Sequence, residues 1–328
     1  MGKPNIFNYA TSELSQDAII CYILEWAKVE NKKHNKNLHQ LGIDFLDSLF
    51  NKFKNIKKPK NYNQIRIEKQ YKNIDVLCII NEEYALIIED KTNTKNHSNQ
   101  LEKYLEEIEK SYSKDKILPI YFKTGDQSNY DDVMNNGYEI YLRRDFLIVL
   151  NSVEFQNDIL EDYSDFLRNI ESEIKSYQTL PIDQWYWHSW KGFYIALKKR
   201  LNEGNWDYVS NRSGGFLGFW WNWDSDSDYH IYLQIDHTMR KITFKLYSKT
   251  DDKVDKDIVN NWKRHIIYNE KNIIIKKPKV VRTGKSVTIG ILETEFRVTD
   301  DKNIIDMDKT VDFIKKIEEI KRNKLRSL

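Results

Sequence analysis

The spacing of hydrophobic and polar positions changes several times along this chain, and each change marks an element. Between residues 12 and 29, Leu14, Ala18, Ile19, Tyr22, Ile23 and Trp26 recur at helical spacing behind Ser12, a candidate N-cap. A second helix is expected over residues 38–53, where Leu41, Phe45, Leu49 and Phe53 lie one turn apart. The Lys-, Pro- and Asn-rich stretch 55–63 reads as a loop. The period then drops to that of a strand over residues 64–71, QIRIEKQY. Two apolar runs follow, IDVLCII (74–80) and YALII (84–88), flanking Asn81-Glu82-Glu83 and reading as a β-hairpin. A helix over 99–112, capped by Ser98 or Asn99, carries a stripe of Leu101, Tyr104, Leu105 and Ile108. Residues 116–124 form a strand in which Pro119 argues for shortness or an edge position, and 125–137 is a loop. Residues 138–144 are the last strand of the sheet, and 145–177 return to helical spacing. This order is accommodated by a mixed α/β sheet flanked by helices.

Gln178-Thr179-Leu180-Pro181 marks a boundary between two expected domains, residues 1–180 and 181–328. The second opens with a helix over 185–203 closed by Gly204. Strand-like runs follow at 215–223, 229–235, 241–248 and 286–293, with helices near 252–268 and 306–324, so an α+β domain is expected. Eight of the nine Trp residues lie between Trp185 and Trp262. Phe216, Trp220 and their aromatic neighbours are expected to fill its core; the alternative is a set of stacking platforms for unpaired bases. The acidic turn Asp224–Asp228 reads as a solvated hairpin turn, and Lys198, Lys199 and Arg200 suit a helix C-terminus.

Composition narrows the class. Charged residues make up 31% and mean hydropathy is −0.71, which describes a polar chain. No run approaches the roughly 18 apolar residues of a membrane span. The first residues lack the apolar centre of a signal peptide, and Cys21 and Cys78 sit in apolar surroundings as expected of buried thiols. A cytoplasmic location is therefore expected, with no zinc framework and no membrane partner. Residues 181–328 hold 28 Lys/Arg against 21 Asp/Glu, a basic balance compatible with nucleic acid.

The candidate chemistry lies at the hairpin. With the turn centred on Glu82, residues whose numbers sum to 164 face each other, so Asp75 opposes Glu89 and Lys91 shares their face. Opposed like charges destabilise a sheet. A divalent cation held by the two carboxylates would account for the pair, and Lys91 could offset charge on a phosphate oxygen. The alternative is a pair of solvated strand ends. Glu13 suits the start of its helix through the macrodipole, and Gln100 and Tyr104 share a helix face.

These residues resemble the PD-(D/E)xK nuclease superfamily, and within it the subgroup that begins with a helix of the kind seen at Phe7–Asp17, FNYATSELSQD. On that resemblance the fold is the restriction-endonuclease-like core, covering roughly residues 7–150. Asp75 is the first motif acid, Glu89 the second, Lys91 the motif lysine and Glu13 an additional metal-site acid. Gln100 and Tyr104 match a Q-x-x-x-Y element, and His97 lies in the loop before it. Ile74 stands where the motif often has Pro, and Asp90, between Glu89 and Lys91, faces away from the site. The implied activity is hydrolysis of phosphodiester bonds with Mg²⁺ or Mn²⁺, on DNA rather than RNA, in defence against foreign DNA. The rival implication is a nucleic-acid-binding or assembly module on the same fold that does not cleave. The aromatic domain could grip substrate, form a homo-oligomer or bind a protein partner.

Overall fold

A computed structural model describes residues 3–92, 94, 99–211, 214–225, 228–250, 252–270, 272–280 and 284–326. The chain divides into two compact units, residues 1–170 and 171–328. Tyr177 is already part of the second unit's core, with Leu180 packed against it.

In the first unit, α1 (Glu13–Trp26) and α2 (Lys36–Phe50) precede β1 (Ile65–Tyr71), β2 (Ile74–Ile80) and β3 (Tyr84–Lys91). Then come α3 (Gln100–Glu109), β4 (Ile117–Lys123), α4 (Asp131–Asn135), β5 (Glu139–Leu142), α5 (Arg143–Leu150) and α6 (Asp158–Lys175). The strands form one mixed sheet in the order β1-β2-β3-β4-β5, antiparallel up to β3 and parallel beyond it. The expected hairpin register holds: Val76 faces Ile88 and Ile80 faces Tyr84. Asn81 and Glu82 both take left-handed backbone in the turn, and Asn81 Oδ1 accepts from the N–H groups of Asn63 and Gln64.

Strand β3 is buried on both faces, which explains its unbroken apolar run. One face, with Val76, Cys78, Leu86 and Ile88, packs against Ile20, Ile23 and Leu24 of α1 and Leu41 and Phe45 of α2. The other, with Leu77, Ile79, Ala85 and Ile87, packs against Leu101, Tyr104 and Ile108 of α3. Gly42 permits α2 to approach α1 closely, since a Cβ there would lie 2.5 Å from Ala27 N. That contact helps seat the helix that carries Glu13.

Three local expectations are corrected. Strand β4 lies between β3 and β5, not at an edge, and Pro119 is paired with Ile87. The proline is tolerated because β5 pairs with β4 only from Ile120 onward. Residues 131–135 form the short helix α4 within the expected loop. The expected helix over 145–177 is two helices, α5 and α6.

In the second unit α7 (Trp187–Leu201) leads into β6 (Asn205–Val209), β7 (Phe216–Ser225), β8 (Tyr229–Asp236) and β9 (Lys241–Ser248). Helix α8 (Lys256–His265), β10 (Tyr268–Glu270), β11 (Ile273–Lys276), β12 (Ser286–Leu292) and α9 (Met307–Arg326) complete it. All neighbours in the seven-stranded sheet, ordered β10-β11-β12-β9-β8-β7-β6, are antiparallel. Strands β6, β10 and β11 have no counterpart in the sequence reading, although Ile273-Ile274-Ile275 of β11 is a clear strand signal. The core joins Trp190, Phe193 and Tyr194 of α7 and Ile314 and Ile317 of α9 to Leu217, Phe219, Trp221, Leu233 and Phe244 of the sheet. Aromatic core filling is thus observed, but from Phe219 and Trp221; Phe216 and Trp220 have the other parity and are only half-buried. Part of the acidic turn, Asp226 and Ser227, lies outside the described residues. Among the described residues no helix is long and apolar enough to cross a membrane. Cys78 is buried, and neither it nor half-buried Cys21 is in a disulfide.

Candidate active site

The polar end of the hairpin is where the apolar run of β3 gives way to Glu89, Asp90 and Lys91. Glu89 and Lys91 point to the α3 side with Asp75, and Asp90 points to the α1 side, as alternation requires. Lys91 is the hub. Its ammonium donates to Glu89 Oε1 and to Asp90 O, and it stands 3.8 Å from Asp75 Oδ2 and 3.9 Å from Glu13 Oε2. Carboxylates from α1, β2 and β3 therefore surround a single cation. The backbone N–H of Asp90 donates to Asp75 Oδ2 at 2.9 Å, which fixes that carboxylate against the neighbouring strand.

Glu13 is held by the loop that follows β3. Its Oε1 accepts from Thr92 N at 3.1 Å and from the Thr94 hydroxyl. Position at the first turn of α1 and these two donors keep the carboxylate aimed at Lys91. Gln100 opens α3 and donates through Nε2 to Tyr104 Oη at 2.7 Å. Burial raises the Tyr104 pKa, and the charges of Glu89 and Asp75 add to the shift, so the phenol lies within the field of the pair. Among the described residues Gln100 makes no hydrogen bond to the carboxylates; its partner is Tyr104, which feels their charge. His97 and Ser98 lie outside the described residues. Asn99 is the N-cap of α3, in left-handed backbone without a side-chain capping bond.

Electrostatics follow from this crowding. Glu89 is fully buried, and burial, with Asp75 adding, pushes its pKa up to about 8 despite Lys91. Burial alone would lower the Lys91 pKa, but Glu89, Asp75 and Glu13 outweigh it and raise it. Lys91 is thus held as a cation.

Three residues carry weight that the sequence reading did not assign. Gln16 and Asp17 are buried polar positions on the apolar face of α1. Gln16 donates to Asp90 Oδ1 and accepts from the hydroxyls of Thr124 and Tyr163. Gln70 spans Asp17 Oδ2 at 3.3 Å and Asp75 Oδ1 at 3.1 Å, from an uncommon left-handed backbone within β1. Asp17, its pKa raised to about 6 by burial and by Asp75, thereby reaches Asp75 through Gln70. The available signal was the pair Gln16-Asp17 interrupting an otherwise apolar helix face.

A hard divalent cation fits this donor set. Asp75 and Glu89 offer oxygen ligands only, and Glu89 Oε2 is buried without a hydrogen-bond partner among the described residues. Gln100 Oε1 is orphaned in the same way. Among the described residues no three His, Cys, Asp or Glu side chains lie close enough together to hold a metal ion, so the fit is to two carboxylates completed by water. No curated protein and no solved structure matches this chain. A family model of the PD-(D/E)XK nuclease superfamily matches residues 4–199, more than half of the chain, and by that match this protein belongs to the PD-(D/E)XK nuclease superfamily.

Proposed function

We propose that this protein is a Mg²⁺- or Mn²⁺-dependent nuclease that hydrolyses phosphodiester bonds in DNA at the cluster formed by Glu13, Asp75, Glu89 and Lys91. The superfamily generally uses divalent metal ions in phosphodiester hydrolysis. The observation that carries the reading is the Lys91 ammonium, buried and within 4 Å of carboxylates from three separate elements. Burial with crowding of this kind pushes Glu89 toward its protonated form, a cost in a core that a second cation would relieve.

Asp75 and Glu89 would hold the metal, and Glu13 would approach it directly or through water. When bound there, the ion supplies Lewis acidity that activates water and offsets charge on the scissile phosphate. Lys91, kept protonated by its neighbours, places a positive charge against a phosphate oxygen and orients the attacking water. A raised pKa makes it a poor proton acceptor, so the lysine acts as an electrostatic group. Gln100, turned toward the phosphate or its water by Tyr104, contributes a hydrogen-bonding amide. Gln70 and the N–H of Asp90 fix the rotamer of Asp75. Defence against foreign DNA is the biological setting we propose, read by transformation efficiency of unmodified plasmid in cells with the wild-type or Lys91→Ala protein.

The direct test incubates plasmid, linear and single-stranded DNA with Mg²⁺ or Mn²⁺ beside the Lys91→Ala protein. Cleavage by the wild type and its loss in the variant are expected; equal behaviour of the two would sink the assignment. The rival, a binding module that does not cleave, predicts salt-sensitive DNA binding by both proteins and no thermal shift with metal.

A further inference from the structure

The second unit's sheet buries one face under helices and leaves the other with a different population. On that outer face, toward the β7–β8 hairpin, Trp223, His230, Tyr232 and Tyr247 form a contiguous aromatic group. Trp223 lies flat on Tyr232, with ring centroids 4.0 Å apart and planes 13° from parallel. His230 and Tyr247 flank it at 5.8 and 6.3 Å. The Tyr232 hydroxyl is hydrogen-bonded to Ser286 at 3.0 Å, so the lower ring of the stack is fixed at its far end. Trp223 is nevertheless 46% exposed. One ring face is held by Tyr232 while the side chain stays substantially exposed, which is what a platform for a planar ligand requires.

Two lysines border this group. Lys285 sits over the Tyr247 ring at 5.3 Å. Lys245 is directly across the sheet from Tyr232 and donates to Thr288 Oγ1 at 3.2 Å. No carboxylate lies within ion-pair distance of Lys245 among the described residues, and burial lowers its pKa against the partial opposition of Asp236. An anion brought to this face would therefore meet an ammonium that the fold leaves under-compensated.

We propose that this face binds an unpaired DNA strand, with a base stacking on Trp223 and backbone phosphates meeting Lys245 and Lys285. Aromatic rings interleaved with cations suit single strands, since every base has a face to stack and none need be identified by its edge. A duplex keeps its bases covered and offers nothing to Trp223. The choice of DNA as the polymer rests on the nuclease reading above.

The test is fluorescence anisotropy of a labelled 30-nucleotide oligo-dT, its duplex with oligo-dA, and oligo-U of the same length. The full chain carrying Lys91→Ala is used in EDTA, so that cleavage does not enter. Trp223→Ala is expected to weaken oligo-dT binding about tenfold, as loss of one stacked base would. Trp223→Phe should recover most of it, and Lys285→Gln should reduce the salt dependence. Unchanged oligo-dT affinity in Trp223→Ala, or an equal loss for the duplex, would overturn the proposal. So would tighter binding of oligo-U than oligo-dT, or sedimentation showing that Trp223→Ala dissociates a dimer. Loss of single-strand binding in Trp223→Ala alongside an inactive wild type would leave this proposal standing and remove the nuclease reading. Cleavage by the wild type without Trp223-dependent binding would do the reverse.

Discussion

Lys91 in the first unit and Lys321 in the second are both buried, and their surroundings push their ammonium groups in opposite directions. Lys321 rises from α9 to a bulge between β7 and β8, where pairing shifts between Trp221 and Asp224 and Asn222 takes left-handed backbone. Its ammonium donates to Asn222 O and Ile231 O and pairs with Asp224 at 2.9 Å. Burial wins there and lowers its pKa. A lysine that caps carbonyls freed by a bulge, with one carboxylate in ion-pair range and Glu318 and Glu203 acting from further away, completes a fold. Lys91 instead meets three carboxylates, and its pKa rises although burial opposes the change. Excess negative charge around a buried cation serves no packing purpose. The contrast shows that burial of a lysine says little by itself; what differs is how many carboxylates lie within ion-pair distance, one at Lys321 and three at Lys91.

That contrast can be broken at its strongest point first. Glu89→Gln removes an anionic ligand from the proposed metal-binding pair while keeping its shape, and should lower DNA cleavage at least about a hundredfold, the scale of losing a transition-state electrostatic contact. A single-turnover rate within threefold of wild type would place the chemistry elsewhere. Next, Lys321→Met should cost about 2 kcal/mol in urea unfolding, because two buried carbonyls lose their donor while half-exposed Asp224 loses its cation. A loss below about 1 kcal/mol would mean that the bulge is satisfied by other means. Tyr104→Phe frees the Gln100 amide and should slow cleavage about tenfold without changing stability, which separates orientation from packing. The smallest effect has the opposite sign: Glu89→Gln in the absence of metal should gain about 1 kcal/mol of stability, since it relieves a functional arrangement that the fold tolerates at a cost. A destabilised Glu89→Gln protein would place Lys91 and Lys321 in the same structural class.

Much of this was readable from the chain because it depends on local periodicity. The IDVLCII and YALII runs, separated by Asn81-Glu82-Glu83, set a hairpin whose register brings Asp75 and Glu89 together. Helix α3 and its Gln100–Tyr104 pair follow from a one-turn spacing. The role of Gln70 was not readable, because its left-handed backbone breaks the strand pattern and its two partners come from α1 and β2. In β7 the alternation was legible but its phase was not: Phe216 and Trp220 have one parity, Phe219, Trp221 and Trp223 the other, so the aromatics do not mark the core face.

The sequence by itself determined most elements of the first unit, the β2–β3 hairpin register and the shared face of Asp75, Glu89 and Lys91, because strand and helix periods fix which neighbours share a face. Only the tertiary structure decided how many carboxylates surround each lysine. It brought Glu13 to Lys91 through the Thr92 and Thr94 donors, buried Gln16 and Asp17 behind the site, and chose Trp221 for the core and Trp223 for the surface. Those outcomes depend on contacts between residues far apart in the chain, and burial and charge act through space.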